Sequence, residues 1–131
     1  MIPPLQILLV EDNPINQKVA SRLLEKAGHA VTVAENGRVA VAIVDSRPFD
    51  LVLMDVQMPE MDGLEATAAI RQREAGSGRR LPIVALTAHA MVGDREKCLG
   101  AGMDGYVTKP VSQSVLFEAM ADALGLRRQG A

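Results

Sequence analysis

Leu51-Val-Leu-Met-Asp-Val-Gln-Met-Pro-Glu-Met-Asp-Gly63 decides the fold. Four apolar residues, Leu51 to Met54, lead to Asp55 and then to a loop punctuated by Pro59 and Gly63. A short, continuous apolar run bounded by turn residues reads as a strand buried on both faces, the kind found in parallel sheets. Asp55 then lies at the carboxyl end of that strand. In open α/β sheets this is the edge where ligands and chemistry gather.

Outward from this stretch the pattern repeats. Gln6 to Val10 is a mostly apolar strand, followed by Glu11-Asp12-Asn13-Pro14. Asn13 suits a helix cap and Pro14 the first helical turn. Ile15, Val19, Ala20, Leu23, Leu24 and Ala27 recur at helical spacing and predict one buried face, with Gly28 closing the helix. Ala30 to Ala34 is a β-branched strand; Asn36 caps a helix that runs to about Arg47 with Ala40, Ile43 and Val44 inward. Beyond Gly63 a helix extends to Glu74, and the polar, glycine-rich Ala75 to Arg80 reads as a mobile loop. Pro82 to Leu86 is a fourth buried strand ending at Thr87, Gly93 to Leu99 a short helix, and Gly105 to Thr108 a fifth strand before Lys109-Pro110. Ser112 caps a last helix with Val115, Leu116, Ala119, Met120 and Ala123 at helical spacing. Five strands alternating with five helices define an α/β fold with a parallel sheet covered on both faces. The pattern alone leaves the strand order open.

The chain has 131 residues, which fits one domain: 5–126 as the folded unit, 1–4 as a linker and 127–131 as a frayed tail. Its composition is 48% hydrophobic with one Tyr, two Phe and no Trp, so the core is aliphatic and offers little to a cofactor that needs aromatic stacking. A net charge of −2 with interspersed signs argues against direct nucleic-acid binding. The single Cys98 excludes an internal disulfide and a multi-cysteine metal site, and reads as a small buried hydrophobe. No apolar run approaches a membrane span and no signal-peptide pattern opens the chain, which predicts a cytoplasmic domain without membrane contact of its own.

All strands of a parallel sheet end at one edge, so the residues after them converge. They are Glu11 and Asp12, Asp55, Thr87 and Lys109. Two carboxylates about 5 Å apart repel by roughly 3 kcal/mol at an effective dielectric near 20, and a cation relieves them. Oxygen donors without a His or Cys cluster suit Mg²⁺ (or Mn²⁺). A metal held by Asp12 and Asp55 leaves Thr87 and Lys109 to receive an anionic group, and a phosphoryl group fits. A carboxylate can itself be the covalent acceptor, giving an aspartyl phosphate.

At these residues the chain resembles the response-regulator receiver domains, most closely those joined to hybrid sensor histidine kinases. The resemblance rests on Leu9-Val10-Glu11-Asp12-Asn13, Asp55 to Gly63, Leu86-Thr87-Ala88-His89-Ala90 and Tyr106-Val107-Thr108-Lys109-Pro110. It implies a flavodoxin-like, doubly wound (βα)5 three-layer sandwich with strand order 2-1-3-4-5. It implies Asp55 as phosphoacceptor and Mg²⁺ on Asp12, Asp55 and the Gln57 backbone carbonyl, with Glu11 acting through metal-bound water. Thr87 and Lys109 would grip the phosphoryl oxygens, and Lys109-Pro110 would be a cis peptide. Thr87 and Tyr106 would form the switch, while Gln57 and His89 would tune the phosphoryl lifetime. The implied partner is a histidine kinase or a histidine phosphotransfer domain, compatible with tethering to a membrane sensor kinase. Pro14, Ile15 and Val111 flank the site as a docking surface. Such a domain catalyses its own phosphorylation and slow autodephosphorylation.

Three rival readings bear on the same residues, and one of them, a degenerate receiver that only binds partners, is opposed by the intact acidic pair with Asp55, Thr87 and Lys109. A haloacid-dehalogenase-like phosphohydrolase needs a second Asp two residues after the nucleophile, where this chain has Gln57. A flavodoxin-like FMN carrier wants a Ser/Thr-rich loop after the first strand, where this chain has Glu11-Asp12. Taken singly, Asp55 and Thr87 could be turn caps, Lys109 a solvated lysine and Tyr106 a half-buried strand residue. Their convergence at the strand ends favours the site.

Overall fold

The computed structural model describes residues 4–56, 63–77, 80–87, 94–108 and 112–125. The strands are β1 (Gln6–Val10), β2 (Ala30–Ala34), β3 (Leu51–Asp55), β4 (Ile83–Thr87) and β5 (Gly105–Thr108). The helices are α1 (Pro14–Lys26), α2 (Gly37–Ser46), α3 (Gly63–Glu74), α4 (Asp94–Gly100) and α5 (Gln113–Ala123). All strand pairs are parallel, in the order β2-β1-β3-β4-β5. This is the flavodoxin-like order, and its direction of winding reverses between β1 and β3.

Strand alternation divides the core into two layers. Leu8, Val10, Val52, Met54, Ile83 and Ala85 face α2, α3 and α4, where Ala40, Ala66, Ile70 and Cys98 complete the packing. Ile7, Leu9, Leu51, Leu53, Val84 and Leu86 face α1 and α5, against Ala20, Leu24, Leu116 and Met120. Every residue of β3 and of β4 is buried, as their unbroken apolar runs require. Cys98 is buried as expected.

The expected caps are present. Asn13 Oδ1 accepts from the Ile15 and Asn16 N–H groups at 2.9 and 3.2 Å, Asn36 Oδ1 from Val39 N–H at 2.9 Å, and Ser112 Oγ from Val115 N–H at 3.4 Å. Gly28 follows α1 with φ +96°, a conformation in which glycine carries no Cβ penalty.

Two expectations need correction. In α1 the buried residues are Ala20 and Leu24, while Ile15 is 72% exposed and Val19 and Ala27 are exposed as well. At about 100° per residue, Val19 lies roughly a quarter-turn from Ala20 and Ile15 farther round, so the apolar residues of α1 form two stripes of which only one is buried. Val115 is exposed for the same reason, one residue before buried Leu116. Arg80, which closes the glycine-rich stretch, makes a tie of its own: its Nε and NH2 donate to Asp104 Oδ1 at 3.1 and 2.9 Å.

That tie belongs to a polar network at the amino edge of the sheet. Arg71, on the last turn of α3, donates to Glu74 Oε1 (2.7 Å), Asp104 Oδ2 (2.8 Å), Gly102 O (2.8 Å) and Leu81 O (2.8 Å). Glu74 Oε2 accepts from Leu81 N–H at 2.6 Å and Asp104 Oδ2 from Ile83 N–H at 2.9 Å. One guanidinium thus joins α3, the entry to β4 and the entry to β5. Gly102 (φ +104°) lies against the Arg71 stem, where a Cβ would come within 3.0 Å of Cγ.

Candidate functional site at the carboxyl edge

The site forms where β1 and β3 lie side by side, at the reversal of winding. Glu11 continues the β1 ladder by donating its N–H to Ala34 O at 3.0 Å. Its carboxylate is buried, and Oε2 accepts from the Asn13 N–H at 3.2 Å. Asp12, next in the chain, is exposed. Asp55 ends β3 with 4% exposure. Carboxylate oxygens of Glu11, Asp12 and Asp55 all lie within 4.8 Å of one another. At that spacing each charged pair costs about 3 kcal/mol at an effective dielectric near 20, less for Asp12, which water screens. Three hard oxygen donors, two of them buried, suit a divalent ion of the Mg²⁺ type.

Gly63, at the head of α3, lies directly against the backbone that carries Asp55. A Cβ on Gly63 would stand 2.4 Å from Asp55 O and 2.8 Å from Val56 Cα, and the Gly63 N–H donates to Val56 O at 3.0 Å. The start of α3 is therefore pressed onto the backbone that carries Asp55. Read from sequence, Gly63 was only a turn residue. A glycine exactly at a helix start, where a capping side chain is usual, was the available signal.

Thr87 ends β4 and is buried. Asp55 is in register with Leu86, so Thr87 stands one residue beyond it on the neighbouring strand. Tyr106 pairs with Ala85 and packs half-buried against the core on the α2–α4 side. Pro14 and Ile15 are exposed at the head of α1, beside the Glu11–Asp12 loop. Gln57, His89, Lys109, Pro110 and Val111 lie outside the described residues, and with them the expected carbonyl ligand, the cis peptide and the lysine. The structure thus brings Glu11, Asp12 and Asp55 together and sets Thr87 on the adjacent strand.

One buried titratable group escaped the sequence reading. His29, between α1 and β2, accepts the Leu5 N–H on Nδ1 at 3.0 Å. Burial holds its pKa below the usual histidine value. A lone histidine after a helix-closing glycine carries no sequence signal for this role.

A parallel sheet of order 2-1-3-4-5 defines a flavodoxin-like domain, and its β1/β3 reversal carries a cluster of three carboxylates that could hold a metal ion. The family model for the response regulator receiver domain matches residues 7–121. The chain is 48% identical over 128 residues to the sensor histidine kinase GacS of Pseudomonas protegens, covering 95% of this chain and 14% of that protein. It is 46% identical over 122 residues to hybrid signal transduction histidine kinase I of Dictyostelium discoideum, covering 89% of this chain and 7% of the relative. Among solved structures, the receiver domain of sensor histidine kinase PA1611 from Pseudomonas aeruginosa, with magnesium coordinated in its active-site cleft, superposes with a TM-score of 0.83 at 43% identity, covering 94% of this chain and 99% of that one. The receiver domain of yeast Ssk1, crystallised with the histidine phosphotransfer protein Ypd1, gives 0.86 at 35% identity, covering 97% and 93%. The chain belongs to the response-regulator receiver domain family. It spans only a small fraction of these kinase relatives.

Proposed function

We propose that this domain accepts a phosphoryl group from a phosphohistidine onto Asp55 in a Mg²⁺-dependent reaction. The reading rests on one observation above the others: three carboxylates within 4.8 Å at the carboxyl edge, with Asp55 at the tip of a fully buried strand. Asp12, Asp55 and the Gln57 carbonyl would hold the ion directly, and Glu11 would hold it through water. When bound, Mg²⁺ supplies positive charge that neutralises phosphoryl oxygens. An Asp55 oxygen forms the bond to phosphorus as the phosphorus–nitrogen bond breaks, and the leaving imidazole takes a proton from solvent. Gly63 keeps the Asp55 backbone in place through this exchange.

Thr87 and Lys109 then receive the phosphoryl oxygens, and Thr87 and Tyr106 carry the change to the surface formed by α4, β5 and α5. The added charge biases a two-state equilibrium. Gln57 and His89 tune the phosphoryl lifetime. The same domain slowly hydrolyses its own acyl phosphate.

The partner is a histidine kinase or a histidine phosphotransfer domain docking on Pro14, Ile15 and Val111. We place the receiver unit at 5–126, between a linker (1–4) and a tail (127–131), in the cytoplasm. Among the described residues no helix is long and apolar enough to cross a membrane. If the chain is part of a hybrid sensor, the whole protein is a histidine kinase.

Labelling by a phosphohistidine donor tests the reading. The unaltered chain takes up about one phosphoryl group with Mg²⁺ and none with chelator, and Asp55→Asn takes up none. Mg²⁺-dependent labelling of Asp55→Asn at wild-type stoichiometry sinks the assignment.

A further inference from the structure

Something must hold Glu11 and Asp12 against the repulsion within the acidic cluster, and the hydrogen bonds of the β1–α1 loop show what does. Glu11 lies one residue past β1, and its N–H still finds a ladder partner in Ala34 O. Its carbonyl is taken by a side chain: Gln17 Nε2 donates to Glu11 O at 2.6 Å, in a partly buried contact. A carbonyl oxygen accepts only, so the amide nitrogen of Gln17 must face it. Gln17 is the fourth residue of α1 and its N–H makes the first helical bond, to Asn13 O at 2.9 Å. Side chains at such positions lean back over the preceding turn. Here that turn is the Glu11-Asp12-Asn13 loop.

We infer that Gln17 is a positioning residue for the cation site, pinning the Glu11 carbonyl so that Glu11 and Asp12 stay aimed at Asp55. The inference rests on the proposed Mg²⁺ site and adds to it a residue that touches no ion and no phosphoryl group. Two backbone-directed bonds, Gln17 to Glu11 O and Asn13 N–H to Glu11 Oε2, fix the main chain and side chain of Glu11 separately. Asp12 inherits its direction from the peptide that Gln17 holds.

The test is calorimetric titration of MgCl2 into the metal-free chain, with thermal melts in the presence and absence of the ion. Gln17→Met keeps length and loses the donor. Gln17→Glu loses the donor and adds a negative charge, which by itself would draw Mg²⁺ more tightly. Supporting groups around metal ligands are worth about 10–100-fold in metal affinity. For this more remote contact, each variant should raise the Mg²⁺ Kd about tenfold and shrink the Mg²⁺-induced rise in melting temperature. An unchanged Kd in Gln17→Met, or a tightened one in Gln17→Glu, overturns the inference. So does a fall in metal-free melting temperature with the metal-induced rise intact, which would mark Gln17 as merely structural. Absence of Mg²⁺ binding by the unaltered chain overturns the site itself, a separate and recognisable failure.

Discussion

Replacing Arg71 by methionine should destabilise the domain by about 3 kcal/mol without touching the acidic site. Methionine keeps most of the stem that packs on Gly102 and removes all four donated hydrogen bonds. Two of those go to backbone carbonyls, Gly102 O and Leu81 O, near enough to the surface for water to replace them. The other two go to carboxylates, Glu74 and Asp104, whose side chains are 17% and 18% exposed against 15% for Arg71. Hydrogen bonds to charged groups are each worth about 1.5–3 kcal/mol, and stripping one partner from a buried pair costs about 3–5 kcal/mol. Partial exposure, and the bonds that Asp104 keeps to Arg80 and Ile83 N–H, favour the lower end of both ranges. For a chain of this size about 3 kcal/mol corresponds to a fall of roughly 10 °C in Tm. Urea melts give the free energy, and calorimetric Mg²⁺ titration serves as the control. The network sits at the amino edge, about 16 Å from the site along a five-residue strand, so the Mg²⁺ Kd should stay within twofold. A loss under 1 kcal/mol would show that Arg71 does not join the three segments. A weakened Mg²⁺ site would show that the two edges are not independent.

Other outcomes follow from the carboxyl edge and from His29. Asp12→Asn should stabilise the metal-free protein by about 1–2 kcal/mol after screening, read as a higher urea midpoint, and the gain should vanish in saturating Mg²⁺. A lower midpoint would mean that the cluster carries no net repulsion. Gly63→Ala should cost more than about 2 kcal/mol, because the added methyl meets backbone at 2.4 Å rather than a yielding side chain; a stability unchanged in urea melts would contradict that contact. Burial lowers the folded-state pKa of His29, so the unfolded chain binds a proton that the folded chain refuses. Its contribution is therefore fully present above about pH 6.5 and lost as the pH falls from there through the lowered folded value. Between pH 7.5 and 5 the unaltered chain should lose stability more steeply than His29→Gln, and equal slopes would remove His29 from the pH dependence.

Much of this fold is written in runs that need no context. Leu51 to Met54 and Ile83 to Leu86 are apolar at every position because both of their faces are covered, and Asn13, Asn36 and Ser112 announce three helix starts by their chemistry. The acidic cluster was legible for a topological reason: residues after parallel strands must meet at one edge, whatever the strand order. That order came only with the family resemblance, since apolar alternation does not say which strands are neighbours. Helix faces were harder. Ile15 and Val19 are apolar and helically spaced, yet only the placement of α1 over the sheet selects the Ala20–Leu24 stripe. The Arg71 network was invisible because its partners lie up to 33 residues away and each looks like an ordinary surface charge.

The two edges of the sheet divide the work. At the amino edge Arg71 pairs opposite charges and ties α3 to the entries of β4 and β5. At the carboxyl edge Glu11, Asp12 and Asp55 gather like charges, held by the packed backbone of Gly63 and the Gln17 contact. A sheet that carries repulsion at one end needs its cohesion elsewhere, and the fully buried β3 and β4 supply it between the two. This division gives the proposed chemistry a direction. Adding a phosphoryl group to Asp55 places more negative charge where it is already crowded, so the rearrangement it drives must begin in the loops of that edge. The amino-edge clamp then serves as the fixed end, and motion should grow from Arg71 toward Thr87. Hydrogen exchange across α4 and β5 can read this gradient: on phosphorylation, protection should change most at the Thr108 end of β5 and least at Gly102–Asp104, and a uniform change would refute a fixed amino edge.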